Sequence, residues 1–234
     1  MFEGSMLRTA IKNCILVGRF SSITQPLCSS QLISKEGPAE NDSKPFVLLE
    51  EKKCIIPVFD LSRRLGNVLA QFRYRYFFEK QFSVESFLSG AVQASILCGD
   101  YIRRKDWSNL RRIMVEDCVS ELQARLSSSD QCLERLKFSL DDVICSVIDS
   151  SYTCGKLQPG VSGVRSFLPL KHRAFYTQVI IYIKKSNIDQ NMNIEQLLRT
   201  SPRRSLLICN ITLSRILNPL GMWKVTRINF FDYP

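Results

Sequence analysis

His172 is the only histidine among the 234 residues, so a serine or cysteine nucleophile that needs an imidazole base has one candidate. It lies in KHRAF between Lys171 and Arg173, whose charges favour the neutral ring. No neighbouring carboxylate orients it, and it reads as a structural residue. Asp141 and Asp142 are adjacent carboxylates that could share acid–base work. At a strand entrance, however, neighbours point to opposite faces, which takes them out of one site. The segments GKLQPG (Gly155–Gly160) and GVSG (Gly160–Gly163) lack the Lys-Ser/Thr ending of a phosphate-cradling loop. The nine cysteines are Cys14, Cys28, Cys54, Cys98, Cys118, Cys132, Cys145, Cys154 and Cys209. Their number is odd and no pair has C-x-x-C spacing, which predicts free thiols in a reducing compartment and neither a disulfide framework nor a zinc site. The expectation is a protein that is not an enzyme, with no catalytic, metal or cofactor residues.

The chemistry that remains is positive charge. The net charge is +10. Arg103, Arg104 and Lys105, followed by Arg111 and Arg112, form the densest basic stretch, and Arg63, Arg64, Arg73 and Arg75 form a second one. Such groups suit anionic lipid, ribosomal RNA or an acidic protein face. Trp107 and Trp223 stand near basic residues, but no RNA-recognition signature surrounds them, and they read as core or rim aromatics.

The elements that must carry these residues follow from the hydrophobic period. Asp60 can cap a helix over 61–78 whose apolar stripe is Leu61, Leu65, Val68, Leu69, Phe72 and Tyr76. The stripe predicts packing against a sheet; the arginines leave open a helix lying on an anionic membrane. Ser83 can cap a longer helix, with Glu85 in its first turn. Its stripe is Val84, Phe87, Leu88, Ala91, Ala94, Ser95 and Cys98. After the YIRRKDW turn comes a short helical segment, then a helix over 115–126. From Phe138 the period changes to two, giving strands over 142–153, 173–184, 205–214 and 223–230. In the second strand Phe175, Thr177, Val179, Ile181 and Ile183 face one way and Tyr176, Gln178, Ile180 and Tyr182 the other, which places it centrally. Helices followed by about four strands predict an α+β domain, with N-terminal helices packed on an antiparallel sheet.

Before this domain, residues 1–20 are amphipathic, basic and poor in acid, with Ser-rich sequence following, which is the description of a mitochondrial presequence. Its removal takes three basic groups and one acid from +10 and leaves +8, so the basic character belongs to the rest of the chain. Residues 21–56 read as a flexible linker and 57–234 as the folded domain. No run is long enough to span a bilayer, so no transmembrane segment is expected.

The stretch FFEKQFSVESFLSGAVQA, from Phe77 to Ala94, and the closing WKVTRINF, from Trp223 to Phe230, resemble the domain family named after the import-motor scaffold of the mitochondrial inner-membrane translocase, its subunit forty-four. Within that family the likeness is to the branch that interacts with the m-AAA protease. The resemblance implies a curved sheet wrapping a helix, the cone of nuclear-transport-factor-type folds. It implies a non-enzymatic protein of the mitochondrial matrix, peripheral to the anionic inner membrane. The implied partners are the m-AAA protease and newly imported inner-membrane proteins, such as the small single-span regulator of the calcium uniporter, which would be sorted and protected from premature degradation. Two other readings stay open at this point: a mitoribosome receptor or mitoribosomal subunit of the same family, and a small-molecule enzyme using a cone pocket.

Overall fold

The computed structural model describes residues 45–51, 53–57, 60–127, 133–154, 173–185, 198 and 205–233. The expected presequence, most of the expected linker, His172, both glycine segments, Cys14, Cys28 and Cys132 lie outside these residues.

Among the described residues, four helices precede four strands. The helices are α1 (Leu61–Phe77), α2 (Val84–Arg104), α3 (Trp107–Ile113) and α4 (Glu116–Ser127). Two 3-10 turns, Leu133–Leu136 and Leu140–Asp142, lead into β1 (Val143–Cys154), β2 (Ala174–Lys184), β3 (Leu206–Ile216) and β4 (Lys224–Asp232). The strands form one antiparallel sheet in the order β1-β2-β3-β4, so each strand pairs with its neighbour in sequence and β2 and β3 are central. This is the α+β architecture that the change of period predicts, and each strand lies within two residues of its expected limits.

The alternation in β2 separates two apolar layers. Phe175, Val179, Ile181 and Ile183 join Leu207, Cys209, Ile211 and Leu213 of β3 and Ile228 and Phe230 of β4 in the main core, which α2 and α4 cover. Ile180 and Tyr182 join Leu206, Ile208 and Phe231 in a smaller cluster on the other face. In α2 the Ser83 hydroxyl accepts from the Ser86 N–H, and Lys105 ends the helix in the left-handed region at φ 55°. Phe87, Leu88, Ala91, Ser95, Cys98 and Ile102 are buried. Val84, expected on the same stripe, is exposed in the first turn, while Val92 is buried.

The expected linker ends earlier than residue 56. Residues 45–51 run along the edge of β4: Leu48 N–H donates to the Phe230 carbonyl (2.8 Å), and Asp232 N–H to that of Phe46 (2.9 Å). The Asn229 amide closes a two-way pair with the Leu49 backbone at 3.0 Å each way. Farther along, the Tyr182 hydroxyl donates to the Ile55 carbonyl (2.7 Å). The Ser/Pro/Glu/Lys composition around the short apolar run Phe46–Leu49 masks it in the sequence. Burying Phe46, Leu48 and Leu49 and covering the free β4 edge is what draws it into the fold.

Candidate binding surface

Helix α1 is turned the opposite way from expectation. Its apolar stripe faces solvent: Leu61 is 81% exposed, Leu65 69%, Val68 63% and Phe72 62%. Leu69, Tyr76 and Phe77 are exposed as well; on the surface Phe72 stacks on Tyr76, which meets Phe77 edge-on. The face turned to the sheet carries Arg63, Asn67 and Gln71, one helical turn apart, and then Tyr74. The reason lies on β1. A register shift between Ile148 and Ser150 leaves Asp149 as an extra residue, with its carboxylate 1% exposed. Ser151 and Thr177 lie buried next to it, their hydroxyls 3.4 Å apart. A buried carboxylate and hydroxyls require polar partners. Arg63 Nη2 meets Asp149 Oδ2 at 2.7 Å, and Gln71 Nε2 donates to the Ser151 hydroxyl at 3.1 Å. Asn67 Nδ2 donates to the Asp149 carbonyl (3.0 Å) and its Oδ1 accepts from Ser151 N–H (2.9 Å). These are the two bonds that a residue of an adjoining parallel strand would make. The polar side of α1 thus completes the bulged edge of β1, and the apolar side is left outward.

Charge accompanies that outward face. Arg64, Arg73 and Arg75 are exposed, and α1 contains no acidic residue. Arg73 and Arg75 have no ion pair among the described residues. Of the second basic face named from sequence, only Arg63 is turned inward.

The stretch after α2 is largely neutralised. Arg103 meets Asp100 at 2.9 Å and Glu134 at 3.6 Å, Arg104 meets Asp100 at 2.9 Å, and Arg111 meets Glu116 at 2.9 Å. Asp100 precedes the two arginines by one helical turn, a spacing the sequence offers, whereas Glu134 is brought in by the fold. Asp106 is diverted to cap α3, and hydrogen bonds from Asn109 and Ser108 hold its carboxyl below the usual range. Lys105 and Arg112 remain exposed without an ion pair among the described residues, and Lys224 Nζ donates to the Arg112 carbonyl (2.5 Å). The five basic residues therefore form two free cations beside three paired ones.

The interior beneath α1 is occupied by aromatic rings. Tyr74 is 2% exposed, stacks on Phe175 at 4.3 Å and meets Phe82 edge-on at 5.0 Å. Trp223 lies 5.9 Å from Tyr74 and 4.9 Å from Phe87. Arg215 binds this cluster together, donating to Glu79 (2.8 Å), to the Tyr74 hydroxyl (3.1 Å) and to the Gly221 carbonyl (2.6 Å). Burial and the Glu79 hydrogen bond push the Tyr74 hydroxyl well above its ordinary range. Two shallow surface cavities lie among the described residues: one of about 230 Å³ is lined by Lys105, Trp107, Gln123, Leu126 and Ser127, and one of about 390 Å³ by Leu49, Glu50, Glu51, Glu121, Ala124 and Arg125. Burial raises the Cys98 and Cys209 thiols far above the range where thiolates form and pushes Cys118 up to about 12, so these three behave as small core hydrophobes. Among the described residues no group of histidine, cysteine and carboxylate side chains could hold a metal ion, and no helix is long and apolar enough to cross a membrane.

Comparison with protein families, with curated proteins and with solved structures finds no match to this chain.

Proposed function

We propose that this chain is a non-catalytic adaptor that lies against an anionic membrane through α1, with the apolar stripe at the level of the acyl chains and Arg64, Arg73 and Arg75 among the headgroups. The observation that carries this reading is the outward stripe of Leu61, Leu65, Val68, Leu69, Phe72 and Tyr76 on a helix with four arginines and no acid. Large exposed apolar patches of this kind mark interaction sites. A second copy of the chain is a poor occupant, because it would bring three more outward arginines, Arg64, Arg73 and Arg75, to the same seam. Burying a large apolar side chain contributes about 1.5–3 kcal/mol, and each basic group near an anionic surface about 1 kcal/mol. The apolar term therefore dominates, and attachment through α1 is expected to survive salt that strips purely electrostatic binders.

The resemblance at Phe77–Ala94 and Trp223–Phe230 supplies the setting. On that basis the surface is the inner mitochondrial membrane seen from the matrix. The domain binds the m-AAA protease there and assists the sorting of newly imported inner-membrane proteins, and its helices and sheet correspond to the cone of that family. The same family offers mitoribosome docking as a second reading, which the exposed Lys105 and Arg112, with the half-buried Lys224 bonded to the Arg112 carbonyl, favour.

Flotation with cardiolipin-containing vesicles tests the central part. The native chain is expected to float at moderate salt and the Leu65→Glu/Phe72→Glu variant to remain in the dense fraction while keeping its circular dichroism. Equal flotation of both would remove α1 from the contact. Loss of flotation for Lys105→Glu/Arg112→Glu, with α1 intact, would transfer it to the other basic cluster.

A further inference from the structure

The contacts of α1 differ in kind along its length. Over its first three turns the side chains that hydrogen-bond it to β1 are Arg63, Asn67 and Gln71, which reach Asp149 and Ser151, and Ala70 alone adds a half-buried apolar contact with the core. At its end Tyr74 is buried in the aromatic cluster, and Glu79, just past the helix, is tied through Arg215. Tyr74 is the only fully buried residue of the helix. Gly66 sits mid-helix with nothing within 4 Å of where its Cβ would lie.

We infer that α1 is a hinged arm: its first three turns part from β1 as a unit, pivoting on Tyr74, while α2 and the sheet stay folded. When the arm lifts, the Asp149 carboxylate and the Ser151 groups that it covers meet water, so each hydrogen bond is exchanged for bonds to water at a net cost of about 0.5–1.5 kcal/mol. Separating Phe87 or Leu88 from the core exposes apolar area with no such compensation. Local openings of this sort lie far below global unfolding. Once free, a helix of 17 residues that contains a glycine is marginal in water, so its amides exchange as soon as it lifts. An arm that parts from the body would let a surface-bound α1 lie flat while the domain turns above it. That use rests on the docking reading; the hinge itself does not.

Native-state hydrogen exchange of the full chain in vesicle-free buffer tests the hinge. Amides of residues 65–72 are expected to exchange at least about 100-fold faster than those of residues 91–102, with little dependence on denaturant. Removing the latch by Arg63→Ala, and separately by Asn67→Ala, is expected to speed the α1 amides by about tenfold further and leave those of α2 unchanged. Protection of α1 equal to that of α2, or a latch variant that speeds both helices alike, would show that α1 opens only with the whole domain and would overturn the hinge. Either result leaves the flotation experiment to decide docking on its own.

Discussion

Helices α1 and α2 are built on the same principle and used in opposite senses. Each has a continuous apolar stripe at helical spacing, and each begins at a side-chain cap, Asp60 or Ser83. In α2 the stripe is the core. In α1 it faces water, and the polar stripe of Arg63, Asn67 and Gln71 does the packing. Amphipathicity therefore shows that a helix has two faces but does not show which one the fold claims. The partner strand decides, and β1 presents a buried carboxylate, the Ser151 hydroxyl and a bulged backbone where α1 lies, with the Thr177 hydroxyl of β2 beside them.

The sharpest way to break this contrast is to truncate one ring on each helix. Phe87→Ala should cost about 3–5 kcal/mol in denaturant unfolding, and Phe72→Ala less than about 0.5 kcal/mol. A large loss at Phe72 would mean that its stripe is covered. The glycines give a smaller difference of opposite sign. A Cβ on Gly99 of α2 would lie 3.1 Å from the Leu136 carbonyl and 3.1 Å from the Phe138 ring, so Gly99→Ala should destabilise by about 1–3 kcal/mol. Gly66 of α1 has open space, and Gly66→Ala should stabilise by about 0.5–1 kcal/mol. Thermal melts of the two variants should move in opposite directions, and a shared direction would contradict the difference in packing.

The smallest effect is at the caps. Hydrogen bonds from the Ser62 side chain and backbone hold the Asp60 carboxyl below its ordinary value. A depressed carboxyl contributes stability above its unfolded pKa of about 3.9, and that contribution is lost as pH falls through the folded value. The Ser83 hydroxyl does not titrate. The α1 amide resonances should therefore shift towards coil as pH falls below about 3.9, before those of α2, and Asp60→Asn should remove the difference. Simultaneous fraying would show that the two starts are equivalent.

Much of this architecture is legible in the sequence because it depends on period alone. The α+β class, the central position of β2 and the buried face of α2 come from alternation and three- and four-residue steps. The missed features depend on what lies opposite. Neither the inward turn of Arg63 nor the isolation of Leu65 and Phe72 can be read without Asp149, which is 86 residues away from Arg63. The Asp100 pairing with Arg103 and Arg104 was legible as a one-turn spacing, whereas the Glu134 contact was not. The run Phe46–Leu49 was hidden by its polar surroundings and is revealed only by the β4 edge it covers.

The most direct test of the docking claim is the depth at which α1 sits. Tryptophan placed at the outward position by Phe72→Trp, and on the outer face of α2 by Gln93→Trp, can be compared with the native chain in vesicles containing cardiolipin and brominated acyl chains. The account predicts added quenching for Phe72→Trp and none for Gln93→Trp. Vesicle-bound protein in which the tryptophan at position 72 is no more quenched than the one at position 93 would contradict it.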